Sequence, residues 1–176
     1  MSNKSVLAAV FVGALTAAGC GPPVPVNEPT PVFAVSEPPA DFRFETTDGS
    51  VLTGESLRGR YSVIAFVATY DLISQAQIKV LGLVAQSHVP RVNVAAVILE
   101  PRENKPIAEA YAKSLNAAFP IGVADLGTVR AGPFGAMRHV PTVVILDRDG
   151  RIVLRHTGPL EEPALHSELT KAGARR

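Results

Sequence analysis

The alternation of apolar and polar residues beyond about residue 40 predicts a mixed α/β domain. Residues 41–46 and 50–53 alternate, as strands with one buried face do, and the Asp48-Gly49 pair between them predicts a tight hairpin turn. The runs at 61–68 and 91–99 are apolar on both faces, which is typical of central strands covered by helices. Shorter apolar runs predict three further strands, at 120–124, 141–146 and 151–156.

Three segments carry apolar residues at helical spacing, namely 71–87, 104–117 and 159–171. The predicted order is β-β-β-α-β-α-β-β-α, in which the early alternation implies right-handed crossovers and parallel neighbouring strands. A turn at Asp149-Gly150 adds an antiparallel edge strand. We therefore expect an α/β/α sandwich with a mixed central sheet.

Two further segments are expected to be loops. The run from Glu100 to Lys105 is charged and predicts a solvated turn after a core strand. Gly127, Gly132 and Gly135 lack the strand-to-helix context of a phosphate-binding loop, so they too are assigned to a loop.

The beginning of the chain has a different pattern. Lys4 precedes an apolar run from Val6 to Ala18, which leads through Gly19 to Cys20. This is the pattern of a secretory signal peptide, and the run is shorter than the about 20 residues that a membrane-spanning helix needs. Residues 15–20 resemble the lipobox of bacterial lipoproteins, which implies that residues 1–19 are removed and that Cys20 anchors the chain to a membrane. An ordinary signal peptide with a chance cysteine is the alternative.

The next segment, 20–39, is rich in proline, which prevents helix formation and favours an extended spacer; a disordered leader is the alternative. The folded domain is then expected to span 40–172, and 173–176 to form a disordered tail. Gly21 follows the cysteine, and the lipoprotein sorting rule of enteric-type bacteria then favours the outer membrane somewhat over the inner one. The expected location is the periplasmic face of the cell envelope.

Composition narrows the possible functions. The chain has 17 basic and 16 acidic residues and a formal net charge of +1, which gives no indication of nucleic-acid binding. Cys20 is the only cysteine, so the chain forms no internal disulfide bond.

Three segments, in the same order along the chain, resemble one family. Residues 62–70 are similar to the strand and loop that precede the active site of thioredoxin-like proteins, and 139–153 are similar to the segment that contains their cis-proline. Residues 41–59 resemble the extra N-terminal hairpin of the TlpA-like and redoxin (AhpC/TSA-type) membrane-anchored branch. The resemblance implies a thioredoxin-like α/β/α sandwich with an N-terminal β-hairpin extension. It also implies a cis peptide bond at Pro141 and a groove formed by Thr69, Tyr70, Asp71, His139, Val140, Pro141 and Thr142.

The sequence departs from this family at the active site. Asp71-Leu72-Ile73-Ser74 stands where the family has its C-x-x-C motif. Dithiol exchange needs a thiolate to attack a disulfide and a second thiol to resolve the intermediate, and single-thiol peroxidase chemistry also needs a thiolate. Asp71 and Ser74 are therefore degenerate active-site positions. We expect Asp71 to cap the following helix, because aspartate is among the best N-cap residues, and we expect Ser74 to be neutral.

Two functions remain open. The first is a redox-inactive module that binds an envelope protein or peptide beside Pro141 by strand addition. The second is a family enzyme with altered chemistry, in which Asp71 and His139 act as an acid–base pair or hold a metal. Two ligands make at best a weak site, so neither a metal nor a cofactor is predicted.

Overall fold

The computed structural model describes residues 38–88, 91–135 and 137–174. The predicted signal peptide, the lipidation site at Cys20 and most of the proline-rich spacer lie outside the described residues. Within the described part of the chain, each helix is too short or too polar to cross a membrane.

Seven strands form one mixed sheet in the order β2-β1-β5-β4-β3-β6-β7. Their bounds are β1 Arg43–Thr46, β2 Val51–Thr53, β3 Tyr61–Val67, β4 Val92–Leu99, β5 Ile121–Ala124, β6 Thr142–Leu146 and β7 Ile152–Thr157. Strands β3, β4 and β5 are parallel, and the remaining pairs are antiparallel. The predicted mixed sheet is confirmed, with the N-terminal hairpin β1–β2 at one edge and β7 at the other.

In the described ranges four α-helices accompany the sheet, and two short 3-10 turns lie at Glu55–Leu57 and Arg102–Asn104. The α-helices are α1 Leu72–His88, α2 Lys105–Leu115, α3 Leu126–Ala131 and α4 Glu162–Ala172. Helix α3 was not predicted. It contains Gly127, which we had assigned to a loop. Asp125 is its N-cap, and the Asp125 carboxylate accepts a hydrogen bond from the Thr128 amide at 2.8 Å.

The central strands bury both of their faces, because successive side chains of β3 point to opposite sides of the sheet. Val63, Ala65 and Val67 pack in one apolar cluster with residues of α1, α2 and α4. Ile64 and Phe66 pack in a second cluster with the N-terminal hairpin and α3. Four phenylalanine rings stack or meet edge-on in that second cluster, namely Phe42, Phe44, Phe66 and Phe134.

The C-terminal end of the described domain reaches beyond the predicted boundary. Gly173 has a positive φ of 106° and ends α4, and the following Ala174 is buried in the first cluster. The core therefore includes one residue of the segment that we had assigned to a tail.

Candidate functional site

The first helix begins immediately after the loop that follows β3, and Asp71 caps it. One oxygen of its carboxylate, Oδ1, accepts a hydrogen bond from the backbone N–H of Ile73 at 3.2 Å. The other oxygen, Oδ2, accepts from the N–H of Ser74 at 2.9 Å. These are two of the amide groups that have no partner inside a helix, so Asp71 performs the capping role that we expected.

Ser74 is not neutral, contrary to our expectation. Its side chain is fully buried, and its hydroxyl donates to Asp71 Oδ2 at 2.7 Å. The same Oγ accepts a hydrogen bond from the backbone N–H of Ala68 at 3.2 Å, and Ala68 directly follows β3. Asp71 and Ser74 are thus joined by a hydrogen bond, and Ser74 connects the cap to the residue that follows β3.

The environment of Asp71 favours its charged form. Partial burial alone would raise the pKa of this carboxyl, but the Ser74 hydroxyl and the amides of Ile73 and Ser74 outweigh it, so the pKa lies below its usual value. The charge acts on Tyr111 in α2, whose pKa is raised by burial and, to a smaller extent, by Asp71. The buried Tyr111 hydroxyl has no hydrogen-bond partner within the described part of the chain.

The Val140–Pro141 peptide bond is cis, as the resemblance implied. Thr142 follows at the start of β6, and its hydroxyl donates to the carbonyl of His139 at 2.7 Å, which fixes the turn before the proline. The carbonyl of Pro141 accepts from the Gly158 amide at 2.8 Å. Among the described residues, neither the N–H nor the C=O of Val140 has a hydrogen-bond partner. The residue before the proline is therefore an open backbone position, with a donor and an acceptor that a bound segment could pair with.

A cavity of about 550 Å³ lies between this open backbone and the end of β3. Its lining is mainly apolar, and its residues are Ala68, Tyr70, Leu99, Glu100, Pro101, Asn104, Asp125, Leu126, Met137, Arg138, His139 and Val140. We call this cavity the groove. It contains three of the predicted groove residues, Tyr70, His139 and Val140, and Thr69 contacts the lining residue Glu100.

Glu100 is buried in this groove, which corrects our assignment of the segment to a solvated turn. Only 5% of the residue is exposed. One carboxylate oxygen accepts hydrogen bonds from the amide of Thr69 at 3.3 Å and from the Thr69 hydroxyl, and the other accepts from Asn104 Nδ2 at 3.2 Å. The glutamate therefore fixes the loop that leads to Asp71.

Exposed apolar side chains surround the same region. Tyr70 is 81% exposed, Leu72 is 77% exposed and Ile73 is 51% exposed. On the other side of the groove Leu126, at the start of α3, is 38% exposed. We call Tyr70, Leu72, Ile73 and Leu126 the apolar rim. Clusters of large exposed apolar residues beside a concave surface are typical of interaction sites.

The predicted pairing of Asp71 with His139 is not present as a contact. Within the described residues, the hydrogen bonds to the Asp71 carboxylate come from its own helix, and no hydrogen bond or ion pair joins it to the exposed His139. No group of three or more histidine, cysteine, aspartate or glutamate side chains in the described ranges could hold a metal ion. The geometry thus offers no assembled acid–base pair and no metal centre in this part of the chain.

Sequence reasoning missed Glu100, Asn104 and Tyr111 as members of this region. Glu100 follows a buried strand directly, and a carboxylate at the end of a central strand is the only sequence signal that could have indicated its position. No local pattern points to Tyr111, which approaches Asp71 only because α2 packs on the same face of the sheet as α1.

No family model and no curated protein matches the sequence. Solved structures do match the fold. A DsbF homologue from Corynebacterium diphtheriae has a TM-score of 0.72 and 16% identity over 84% of this chain and 96% of that chain. The dsbF protein of MTB, solved in mixed oxidized and reduced forms, has a TM-score of 0.64 and 25% identity over 76% and 96%.

A third match is the exposed lipoprotein thioredoxin Etrx1 of Streptococcus pneumoniae. It has a TM-score of 0.67 and 21% identity over 75% of this chain and 99% of that chain. All three chains are covered almost completely. The resemblance stated from the sequence is confirmed at the level of the fold: this chain has the thioredoxin-like fold of the DsbE, DsbF and TlpA-like proteins.

Proposed function

We propose that this protein is an extracytoplasmic, redox-inactive thioredoxin-like module that binds an extended segment of a protein or peptide partner in the groove beside Pro141. The observation that carries the proposal is the hydrogen-bonded Asp71–Ser74 pair beside an open groove, at the two positions where the family resemblance implies the active-site cysteines. A hydroxyl and a carboxylate that are committed to a helix cap supply no thiolate, and disulfide exchange requires one.

The groove has the features that strand addition needs. The backbone of Val140 offers a donor and an acceptor that have no partner among the described residues, and an extended segment could satisfy both. Side chains of that segment that alternate toward the protein would meet the groove and the apolar rim. Tyr70 is well suited to such a contact, because tyrosine provides a large contact area at a small loss of conformational entropy.

The location rests on two separate observations. The first is the signal-peptide pattern that ends at Cys20. The second is that the fold neighbours include an exposed lipoprotein and a secreted disulfide oxidoreductase. Lipid attachment at Cys20 would hold the module at the envelope membrane, with the outer membrane favoured, and the proline-rich spacer would separate the module from the membrane surface. Labelling of cells with radioactive palmitate is expected to mark the wild-type chain and to leave Cys20→Ser unlabelled.

The proposed function is tested by measuring activity and binding on the same preparation. The full chain in detergent is expected to show no reduction of insulin disulfides and no consumption of peroxide. Immobilised on beads, it is expected to retain an envelope protein that Tyr70→Ser and Leu72→Ser release. Both replaced side chains are exposed, so the folded state should change by less than about 0.5 kcal/mol.

Leu83→Ser is the matched control, because Leu83 is also an exposed leucine of α1, at 46% exposure, and is about 16 Å along the helix from Leu72. It is expected to leave retention unchanged. Disulfide turnover by the wild-type chain would contradict the redox-inactive assignment. Equal retention by the rim variants and the Leu83 control would contradict binding through the groove.

A further inference from the structure

We propose that the groove selects a partner segment that carries an arginine or lysine side chain, whose positive group pairs with the buried carboxylate of Glu100. This inference rests on the proposed function, since it names the chemistry of the segment that the groove binds. It follows from the position of one buried acidic group, Glu100, in the lining of a mainly apolar cavity.

The contacts of Glu100 show a carboxylate that acts as an acceptor on both oxygens. Oε1 accepts from the amide and the hydroxyl of Thr69, and Oε2 accepts from the amide group of Asn104. An ionised carboxylate has only acceptor sites, and these contacts offer it donors on both oxygens. All three donors are neutral, so they align the negative charge without cancelling it.

A negative charge at this depth is unfavourable unless a positive group is close. Glu100 is 5% exposed, and transfer of an ionised carboxylate out of water is strongly opposed unless it is both hydrogen-bonded and paired. Among the described side chains, no lysine, arginine or histidine forms an ion pair with it. Within the described part of the chain the carboxylate has hydrogen bonds but no ion-pair partner, and it lines a cavity that opens to solvent.

The other charged groups of the groove do not reverse this conclusion. Arg138 and His139 also line the groove, but both are exposed, so water screens a positive charge at these positions. Asp125 adds a second carboxylate to the lining, although that group also caps α3. Glu100 is the buried acidic residue of the described lining, and a long basic side chain can reach it because its methylene groups pack along apolar walls while its charged end stays polar.

The inference is tested with short peptides and the full chain in detergent. Three pools of fluorescein-labelled hexapeptides share flanks randomised among valine, isoleucine, threonine and serine. They differ only at the central residue, which is arginine, citrulline or glutamate. Citrulline has nearly the shape of arginine without its charge, so the arginine-to-citrulline ratio of affinities, measured by fluorescence anisotropy, isolates the effect of the charge.

The arginine pool is expected to bind the wild-type chain about tenfold or more tightly than the citrulline pool. The reason is that a hydrogen bond to a charged group contributes more free energy than one between neutral groups, by an amount that corresponds to about a tenfold difference in affinity. Glu100→Gln keeps the shape and an acceptor for Thr69, and it is expected to lower this ratio to about one. Glu103→Gln removes a neighbouring exposed carboxylate and serves as the control, which should keep the wild-type ratio.

Equal affinity of the arginine and citrulline pools for the wild-type chain would overturn the inference and leave the proposed function standing. An unchanged ratio in a folded Glu100→Gln chain would also overturn it, because the selectivity would then come from elsewhere. Absence of binding by all three pools would contradict the proposed function itself. The wild-type comparison needs no variant, so the test holds even if Glu100→Gln does not fold.

Discussion

Replacing Asp71 with alanine removes the cap of α1 and the acceptor of a buried hydroxyl in one step. An aspartate cap contributes about 1 kcal/mol over alanine, and its charge at the helix N-terminus adds about 0.3–1 kcal/mol. The fully buried Ser74 hydroxyl also loses its acceptor, which costs about 1 kcal/mol more. The free energy of unfolding is therefore expected to fall by about 2–3 kcal/mol.

Two variants separate the contributions, and urea unfolding followed by circular dichroism measures them. Asp71→Asn keeps a carbonyl acceptor and is expected to lose only about 1 kcal/mol or less. Asp41→Ala removes an exposed aspartate elsewhere and is expected to change stability by less than about 0.5 kcal/mol. A loss no larger for Asp71→Ala than for Asp41→Ala would refute the assignment of Asp71 as a structural cap.

The pH dependence gives the same prediction a second readout. The pKa of Asp71 is lower in the folded chain than its ordinary value of 3.8, so the folded state favours the ionised form. The resulting stabilisation is complete above the unfolded pKa and is lost as the pH falls through the lower folded pKa. The stability difference between wild type and Asp71→Asn is therefore expected to shrink below about pH 4. A difference that stayed constant down to strongly acidic pH would contradict the electrostatic part of the account.

Other changes have similarly defined outcomes. The double variant Asp71→Cys, Ser74→Cys is expected to reduce insulin disulfides where the wild-type chain does not, since it places two thiols at the start of α1; a folded but inactive variant would contradict the assignment of these positions. Tyr111→Phe is expected to leave stability unchanged or raise it by up to about 1 kcal/mol in thermal unfolding, because its buried hydroxyl lacks a partner among the described residues, and a clear loss would reveal a bond to that hydroxyl. Arg138→Gln is expected to leave the arginine-to-citrulline affinity ratio within about twofold of the wild-type ratio, because water screens the charge of this exposed residue, and a collapse of the ratio would contradict the assignment of the selectivity to Glu100.

Most of the fold was predictable because its signals are local. The strand at 61–67 is apolar on both faces, so its central position follows from the sequence before any neighbour is known. Helix α3 was missed because it has only six residues and contains Gly127, which lowers helix propensity. Its sequence signal is Asp125, an N-cap residue. The Asp125 carboxylate accepts a hydrogen bond from the amide of Thr128, three residues later.

The candidate site was only partly predictable, since its important contacts connect distant parts of the chain. Asp71 as a cap needs only the next three residues and was predicted. Glu100 contacts Thr69 across 31 positions of sequence, and that contact exists only because β3 and β4 pair in parallel. Glu103 and Lys105, which follow Glu100, are exposed, and the charged composition of this segment concealed the burial of Glu100.

The central claim is that the groove face of a thiol-free thioredoxin-like fold contacts a partner in the envelope. Photo-crosslinking in intact cells tests it most directly, with a benzophenone amino acid placed at Tyr70 and, as control, at Leu83 in α1. Both positions are exposed, so neither substitution should disturb the fold. The account predicts a discrete protein adduct from position 70 that is absent from position 83 and is lost in a Leu72→Ser chain. Adducts of equal yield from both positions, or none from position 70, would contradict it.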